Sequence, residues 1–289
     1  MFILQSYLLA VIFCFITMLC WGSWANTQKL AGREWRFELF YWDYVIGVVL
    51  LSVIFAFTLG SIGTAGRSFI KDVGQADFSN LLSAMIGGAI FNAANILLVA
   101  AIAIAGMAVA FPVGIGLALV LGVIVNYIAT PLGNPVILFL GVALVVAAII
   151  IDAFAYGKLP NQTRGVTTKG LVLSVLCGIL MGFFYRFVAR SMSTDFINLE
   201  PGKLSPYTAV VFFSIGLLIS NFLFNTLIMK KPFVGEPVPI SAYFKGGLPI
   251  HFIGILGGII WCIGMSFSII ASGQAGFAIS YGLGQGATM

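Results

Sequence analysis

Apolar runs of about 20 residues, each closed by glycine, proline or charge, recur along almost the whole chain. As a helix, a run of that length crosses the ~30 Å hydrocarbon core of a bilayer. The pattern predicts nine spans, at about 3–25, 42–60, 79–104, 106–127, 135–156, 168–190, 206–229, 248–271 and 274–289. The third and fourth meet at Ala105-Gly106 with almost no loop, and the eighth and ninth meet in the same way at Gly273.

The spans also carry a repeat. Shifted by 170, residues 87–119 fall on 257–289 without a gap, and nine of the 33 pairs are identical. Gly87-Gly88 meets Gly257-Gly258, Phe91 meets Trp261, and Gly106, Ala108, Phe111, Gly114 and Gly116 meet Gly276, Ala278, Tyr281, Gly284 and Gly286. A fixed period in so apolar a chain predicts a transporter of two similar halves. The competing reading is chance matching of Gly- and Ala-rich helices, but the glycine spacing persists through two helices and their connection. The ninth span is shorter than its partner, so the chain is expected to stop about 35–40 residues before the end of a ten-helix plan. The predicted fold is an all-α polytopic membrane protein of two inverted five-helix repeats, truncated in the ninth helix. Residues 1–157 form the first repeat, and 168–289 form an incomplete second one.

Five spans per half, an odd number, place the second half upside down relative to the first. Loop charge supplies an orientation. The connections after spans 1, 3, 5 and 7 carry Lys29, Arg33, Arg36, Lys158, Arg164, Lys169, Lys230, Lys231 and Lys245, whereas those after spans 2, 4, 6 and 8 carry Arg67, Lys71 and Lys203. The positive-inside rule puts the first set in the cytoplasm and the N-terminus outside, in a cell inner membrane. Composition agrees with this class: 61% of residues are hydrophobic and 8% charged, against roughly 25% charged in soluble domains. The first run lacks the basic region and small-residue cleavage site of a signal peptide. The four cysteines lie inside apolar runs and suit packing, and the net charge of +5 fits anionic lipid headgroups and gives no case for nucleic acid.

Polar groups within spans are costly and each needs a reason. The end of span 1, Cys20-Trp21-Gly22-Ser23-Trp24-Ala25-Asn26-Thr27-Gln28-Lys29, reads either as an aromatic and hydrogen-bonding wall for a solute, with Trp24 and Asn26 in contact, or as an interfacial aromatic belt. Asn92 and Asn95 share a face of span 3 and point inward, as helix glue or as solute contacts opposite Trp261. Span 6 offers Tyr185 and Arg186, the latter a bidentate donor or a snorkelling cation. Asn221 and Asn225 share a face of span 7, and Tyr281 and Gln285 occupy span 9. For proton coupling the candidate is Asp43, read as opening span 2, where an N-cap is the ordinary alternative. His251 is read as an interface residue and Asp152 as loop-proximal. The sequon at Asn161 falls on the expected cytoplasmic side. No cofactor or metal is implied, and Gly-x-x-x-x-Gly-Lys-[Ser/Thr] does not occur.

Gly22-x-Trp24, Trp42-Asp43-Tyr44, Phe55-Ala56-Phe57-Thr58-Leu59-Gly60, Gly87-Gly88 with Asn92 and Asn95, and Gly273-Gln274-Ala275-Gly276-Phe277-Ala278 together resemble the ureide permeases of the drug/metabolite transporter superfamily. Trp21-Gly22-Ser23-Trp24 is also similar to the first helix of the rhamnose–proton symporter and glucose-uptake branches. The resemblance covers nearly all of the chain. It implies proton-driven import of a small neutral polar solute: a ureide such as allantoin, a nucleobase, or a sugar. The chain departs from the plant permeases in joining its halves through only about a dozen residues, around 157–168. An exporter of metabolites or drugs is the alternative within the superfamily, though the amides favour a polar solute. A single histidine and nine scattered acids argue against an enzyme, and no filter sequence suggests a channel. The expected partners are the solute, protons and the bilayer, with the chain a monomer or homodimer.

Overall fold

In hydrocarbon no water is present to satisfy backbone N–H and C=O groups, so an apolar run must satisfy its own by coiling. The computed structural model describes residues 1–32, 35–157 and 167–286. Among these the elements are α1 (Tyr7–Ser23), α2 (Ala25–Leu30), α3 (Phe37–Phe57), α4 (Phe69–Gln75), α5 (Phe78–Ala105), α6 (Met107–Ala110), a π-helical turn (Phe111–Ile115), α7 (Gly116–Ala129), α8 (Pro135–Gly157), α9 (Thr168–Ser191), α10 (Pro206–Lys230), a 3₁₀ turn (Ile240–Lys245), α11 (Leu248–Ala275) and α12 (Phe277–Gln285). Seven helical stretches are long and apolar enough to span a bilayer, and Pro135–Ile151 is a shorter apolar one. The chain is an all-α, multi-pass membrane protein.

Each of the nine sequence-derived spans overlaps one of these helices, with three displaced boundaries. Span 8 runs on through Gly273 to Ala275, so it meets span 9 at Gly276 and not at Gly273. Span 1 continues past a break at Trp24 into α2. Span 2 begins at Phe37, with Arg36 at its N-cap, so Asp43 lies inside α3 and does not cap it. The missed turn of helix is Phe37–Tyr41, whose Glu38 looked like loop but is paired with Arg36. Arg33, Lys158, Arg164, the sequon at 161–163 and the side chain of Asp152 lie outside what is described.

Helices α5 and α11 are each 28 residues long and start 170 residues apart. Each ends on a glycine at φ 81°, Gly106 and Gly276, a conformation other residues rarely adopt, and a new helix starts at once. The packing repeats too. Helix α5 lies against α9 and α10, and α11 lies against α1 and α3. A Cβ at Gly88 would overlap the backbone of Phe213, and one at Gly258 would overlap that of Tyr44. Gly216 meets Met85 and Gly47 meets Ile255 in the same way. Only glycine lets these helix backbones approach so closely.

The loops gather at two ends. Arg36 donates to the Glu236 carbonyl, and Trp35 packs on Tyr243, so the connections before α3 and after α10 share one end. At the other, Arg67 donates to the carbonyls of Leu199, Glu200 and Lys203, joining the connection after α3 to that after α9. The N-terminal amine reaches the Ala65 carbonyl there.

Candidate functional site

The helices that close together leave a small central chamber. Trp21 of α1 and Trp24 beyond it, Phe91, Asn95 and Leu98 of α5, Phe111 and Ile115 of the π turn, Met181 and Phe184 of α9, Trp261 of α11 and Gln285 of α12 line it. Local sequence explains how they converge. Trp24 sits at the break between α1 and α2, its carbonyl accepting from the Thr27 hydroxyl at 2.7 Å. Pro112 has no N–H to give, and the turn around it is π-helical, which sets Phe111 and Ile115 toward the centre.

The walls are mutually packed rings. Phe91 and Trp261, which correspond under the 170-residue shift, touch one another with centroids 4.3 Å apart. Trp21 lies nearly parallel to Trp261 at 6.0 Å and donates its indole N–H to the Trp261 carbonyl. Tyr44 backs the wall, 4.9 Å from Trp24 and 6.3 Å from Trp261. Two amides enter this aromatic cage. Asn95 donates to the Tyr41 hydroxyl at 3.3 Å, and Gln285 is in hydrogen-bonding reach of Tyr281. The chamber measures about 30 Å³, roughly the share of one water molecule. The structure is closed about its centre.

The sequence-derived site residues divide accordingly. Trp24, Asn95, Trp261 and Gln285 line the cage. Asn26 is exposed on α2 and is not brought there; its neighbour Thr27 is the buried one. Asn92 turns away from the cage to α10, donating to the Ser220 hydroxyl at 2.9 Å. Tyr185 ties α9 to α11 and α12 through Ser268 and Ser280, at 3.1 and 3.0 Å. Tyr281 donates to the Met181 carbonyl at 2.9 Å, standing behind Gln285. Arg186 is half-buried and outside the lining. Trp21, Phe91, Met181 and Phe184 were not among the site residues; Trp21 could have been found from the Trp21-x-x-Trp24 spacing, and Phe91 as the repeat mate of Trp261.

Asp43 is fully buried beside the cage, one residue from Tyr44. It accepts from the Tyr243 hydroxyl at 2.5 Å and meets His251 Nδ1 at 2.9 and 3.0 Å. His251 is therefore not a plain interface residue: it lies in the first turn of α11 against a buried carboxylate, with Trp35 edge-on at 5.2 Å and Tyr243 at 4.6 Å. Burial first, and then the Asp43 carboxylate, push the Tyr243 phenol above its ordinary range, so it remains a donor at neutral pH. Among the described residues no group of three or more His, Cys, Asp or Glu is placed to hold a metal ion.

A family model described as ureide permease matches residues 40–164, which include Asp43, Tyr44, Phe91, Asn95 and Phe111. "Ureide permease 1" of Arabidopsis thaliana is 23% identical over 293 residues, covering 82% of this chain and 75% of the relative. "Ureide permease 2" of the same plant is 21% identical over 342 residues, covering 96% of this chain and 86% of the relative. "Ureide permease 3" is 23% identical over 264 residues, covering 82% and 77%. The likeness is to permeases and not to enzymes: the chain is a multi-pass membrane protein by its apolar helices, and over most of its length it is similar to ureide permeases.

Proposed function

We propose that the chain is a secondary active transporter that imports a small neutral polar solute of the ureide or nucleobase kind, with a sugar as the second candidate. The contact of Phe91 with Trp261 carries this reading. Residues related by the repeat meet across a cage of aromatic faces and amides, as a binding site on a pseudo-two-fold axis would have it. Flat rings on the walls suit a planar solute by stacking, and Asn95 and Gln285 supply the donors and acceptors that fix a urea or imide edge.

Transport would proceed by alternating access. The cage is too small for a heterocycle, so binding requires the two halves, 1–157 and the inverted 168–289, to part. Support for inversion comes from the loops: the connection after α9, the repeat counterpart of that before α3, sits at the opposite end of the molecule. Loop charge favours a cytoplasmic location for the Arg36 end and an inner-membrane location for the whole. The proton would be taken up by Asp43 with His251 at its side, next in sequence to Tyr44, which packs behind Trp24 and Trp261. Export of metabolites by the same cycle is the alternative, decided by the direction of accumulation.

Proteoliposomes holding the protein test this with labelled allantoin, uracil, glucose and rhamnose, with and without a proton gradient. Accumulation of allantoin or uracil that follows the gradient and is lost in Trp261→Ala is expected. No accumulation of any of the four under either condition overturns the proposal.

A further inference from the structure

Helices α3, α5 and α10 enclose a line of buried amides that the cage does not use. Asn92 gives its Nδ2 to the Ser220 hydroxyl at 2.9 Å, and Asn225 gives its own to the Glu38 carbonyl at 2.9 Å. Among the described residues the Oδ1 atoms of both have no hydrogen-bond partner, and Asn221 has none at either end, though all three residues are fully buried. Residues 217, 221 and 225 fall one turn apart on one stripe of α10. Leu217 faces Asn92 of α5, and Asn225 faces Glu38 of α3. Asn221 lies between them.

A cavity lies near each end of the line. Asn95, one turn from Asn92, is in the cage wall. Past Asn225, a cavity of about 220 Å³ lies among Phe37, Glu38, Ile96, Val99, Ile228 and Phe233. Helix glue accounts for amides that are bonded across an interface. It does not account for Asn221, because a buried amide with nothing to bond is costly in a dry interior and favourable only where something polar passes or stays.

We propose that this seam is the path of the solute between the cage and the cavity at the Arg36 end, with Asn92, Asn221 and Asn225 as successive hydrogen-bonding stations. Its ligand class is water and small neutral solutes that carry urea or amide groups. The idea rests on the transporter reading, but its first test does not need a transported solute. In proteoliposomes, Asn221→Cys should react with a charged, water-borne methanethiosulfonate at least tenfold faster than Phe222→Cys, whose side chain points outward on the next position. Equal rates would overturn the path. In a second arm, Asn221→Leu should keep or raise the melting temperature, retain the thermal shift given by allantoin or uracil at the cage, and lower their uptake at least tenfold. A fall in melting temperature with uptake per folded molecule unchanged would mean that Asn221 is glue. Fast labelling without uptake of any solute would leave the path standing and remove the transporter reading.

Discussion

The two ends of the molecule are tied shut by different chemistry. At the end where α4 lies, Arg67 spreads over four acceptors: Asp72 at 2.8 Å and the carbonyls of Leu199, Glu200 and Lys203 at 3.0, 3.1 and 2.7 Å. Asp72, fully buried, also takes the Ser205 amide at 2.7 Å. Gln75 donates to the Lys203 carbonyl and accepts from the Gly202 amide, and Asn80 donates to the Gly202 carbonyl. Most of these bonds end on backbone, which cannot swing away. At the other end the ties are single side chains: Tyr243 and His251 on Asp43, and Arg36 on Glu38 and the Glu236 carbonyl. A fan of bonds onto backbone must break all at once, whereas single side-chain bonds can break in turn. If the transport cycle proposed above holds, the Arg36 end is the one expected to open first.

The largest expected effect is at the backbone-tied end. Asp72→Ala takes the fully buried carboxylate from both Arg67 and the Ser205 amide, and each donor left unpaired costs about 1–3 kcal/mol. Thermal unfolding in detergent should show a large fall in melting temperature and a poor yield of folded protein. A variant as stable as the parent would erase the distinction between the ends.

The intermediate case is Tyr243→Phe. It deletes one hydroxyl and leaves the Asp43 carboxylate short of a donor, at a cost of about 1–3 kcal/mol. The fold should survive. A cysteine in place of exposed Ser241, in the turn that carries Tyr243, should become more reactive to a water-borne maleimide in this background. The parent fixes the sign with pH. The folded phenol's pKa is raised, so the stability it contributes is complete below the ordinary phenol range, about 10, and is lost as pH rises above that value. From pH 7 to 9.5, labelling of the parent at Ser241→Cys should rise only as fast as that of a free cysteine, whose thiolate fraction grows through its pKa of about 8.5. A steeper rise within that window would show that the Tyr243 bond is not what holds the turn.

The spans could be read in the sequence because a bilayer demands long apolar runs, and the repeat because glycines at helix contacts tolerate little else. Four of the eleven residues that line the candidate site were legible for the same reasons. Trp24, Asn95, Trp261 and Gln285 announce themselves as polar or aromatic groups inside apolar runs, and all four reach the cage. Asn26 does not line the cage because the helix breaks at Trp24, which leaves Asn26 exposed on α2. Asn92 and Asn95 read in the sequence as one shared face, either helix glue or solute contacts, yet α5 has helices on two sides, and three positions along it are enough to change partner from Tyr41 to Ser220. The meeting of His251 with Asp43 joins residues 208 apart, across a helix start that the sequence placed five residues late. Contacts of that kind are properties of packing and leave no local pattern.

The smallest effect sharpens the comparison most. Arg36 looks like the counterpart of Arg67, with a bidentate carboxylate and a backbone carbonyl in reach. Its side chain, however, is 28% exposed, and its carboxylate partner Glu38 lies only two residues along the chain. That ion pair forms whether the ends are open or closed, so it holds nothing shut. The one bond that crosses to another segment is that to the Glu236 carbonyl, on the strand of chain leading to Tyr243. Partly exposed pairs of this sort contribute about 0–1 kcal/mol. Arg36→Gln should therefore leave the melting temperature within a degree or two of the parent while modestly raising labelling at Ser241→Cys. If it instead matched Asp72→Ala in unfolding, charge alone would be setting the strength of both ends, and the difference between backbone and side-chain anchoring would not matter.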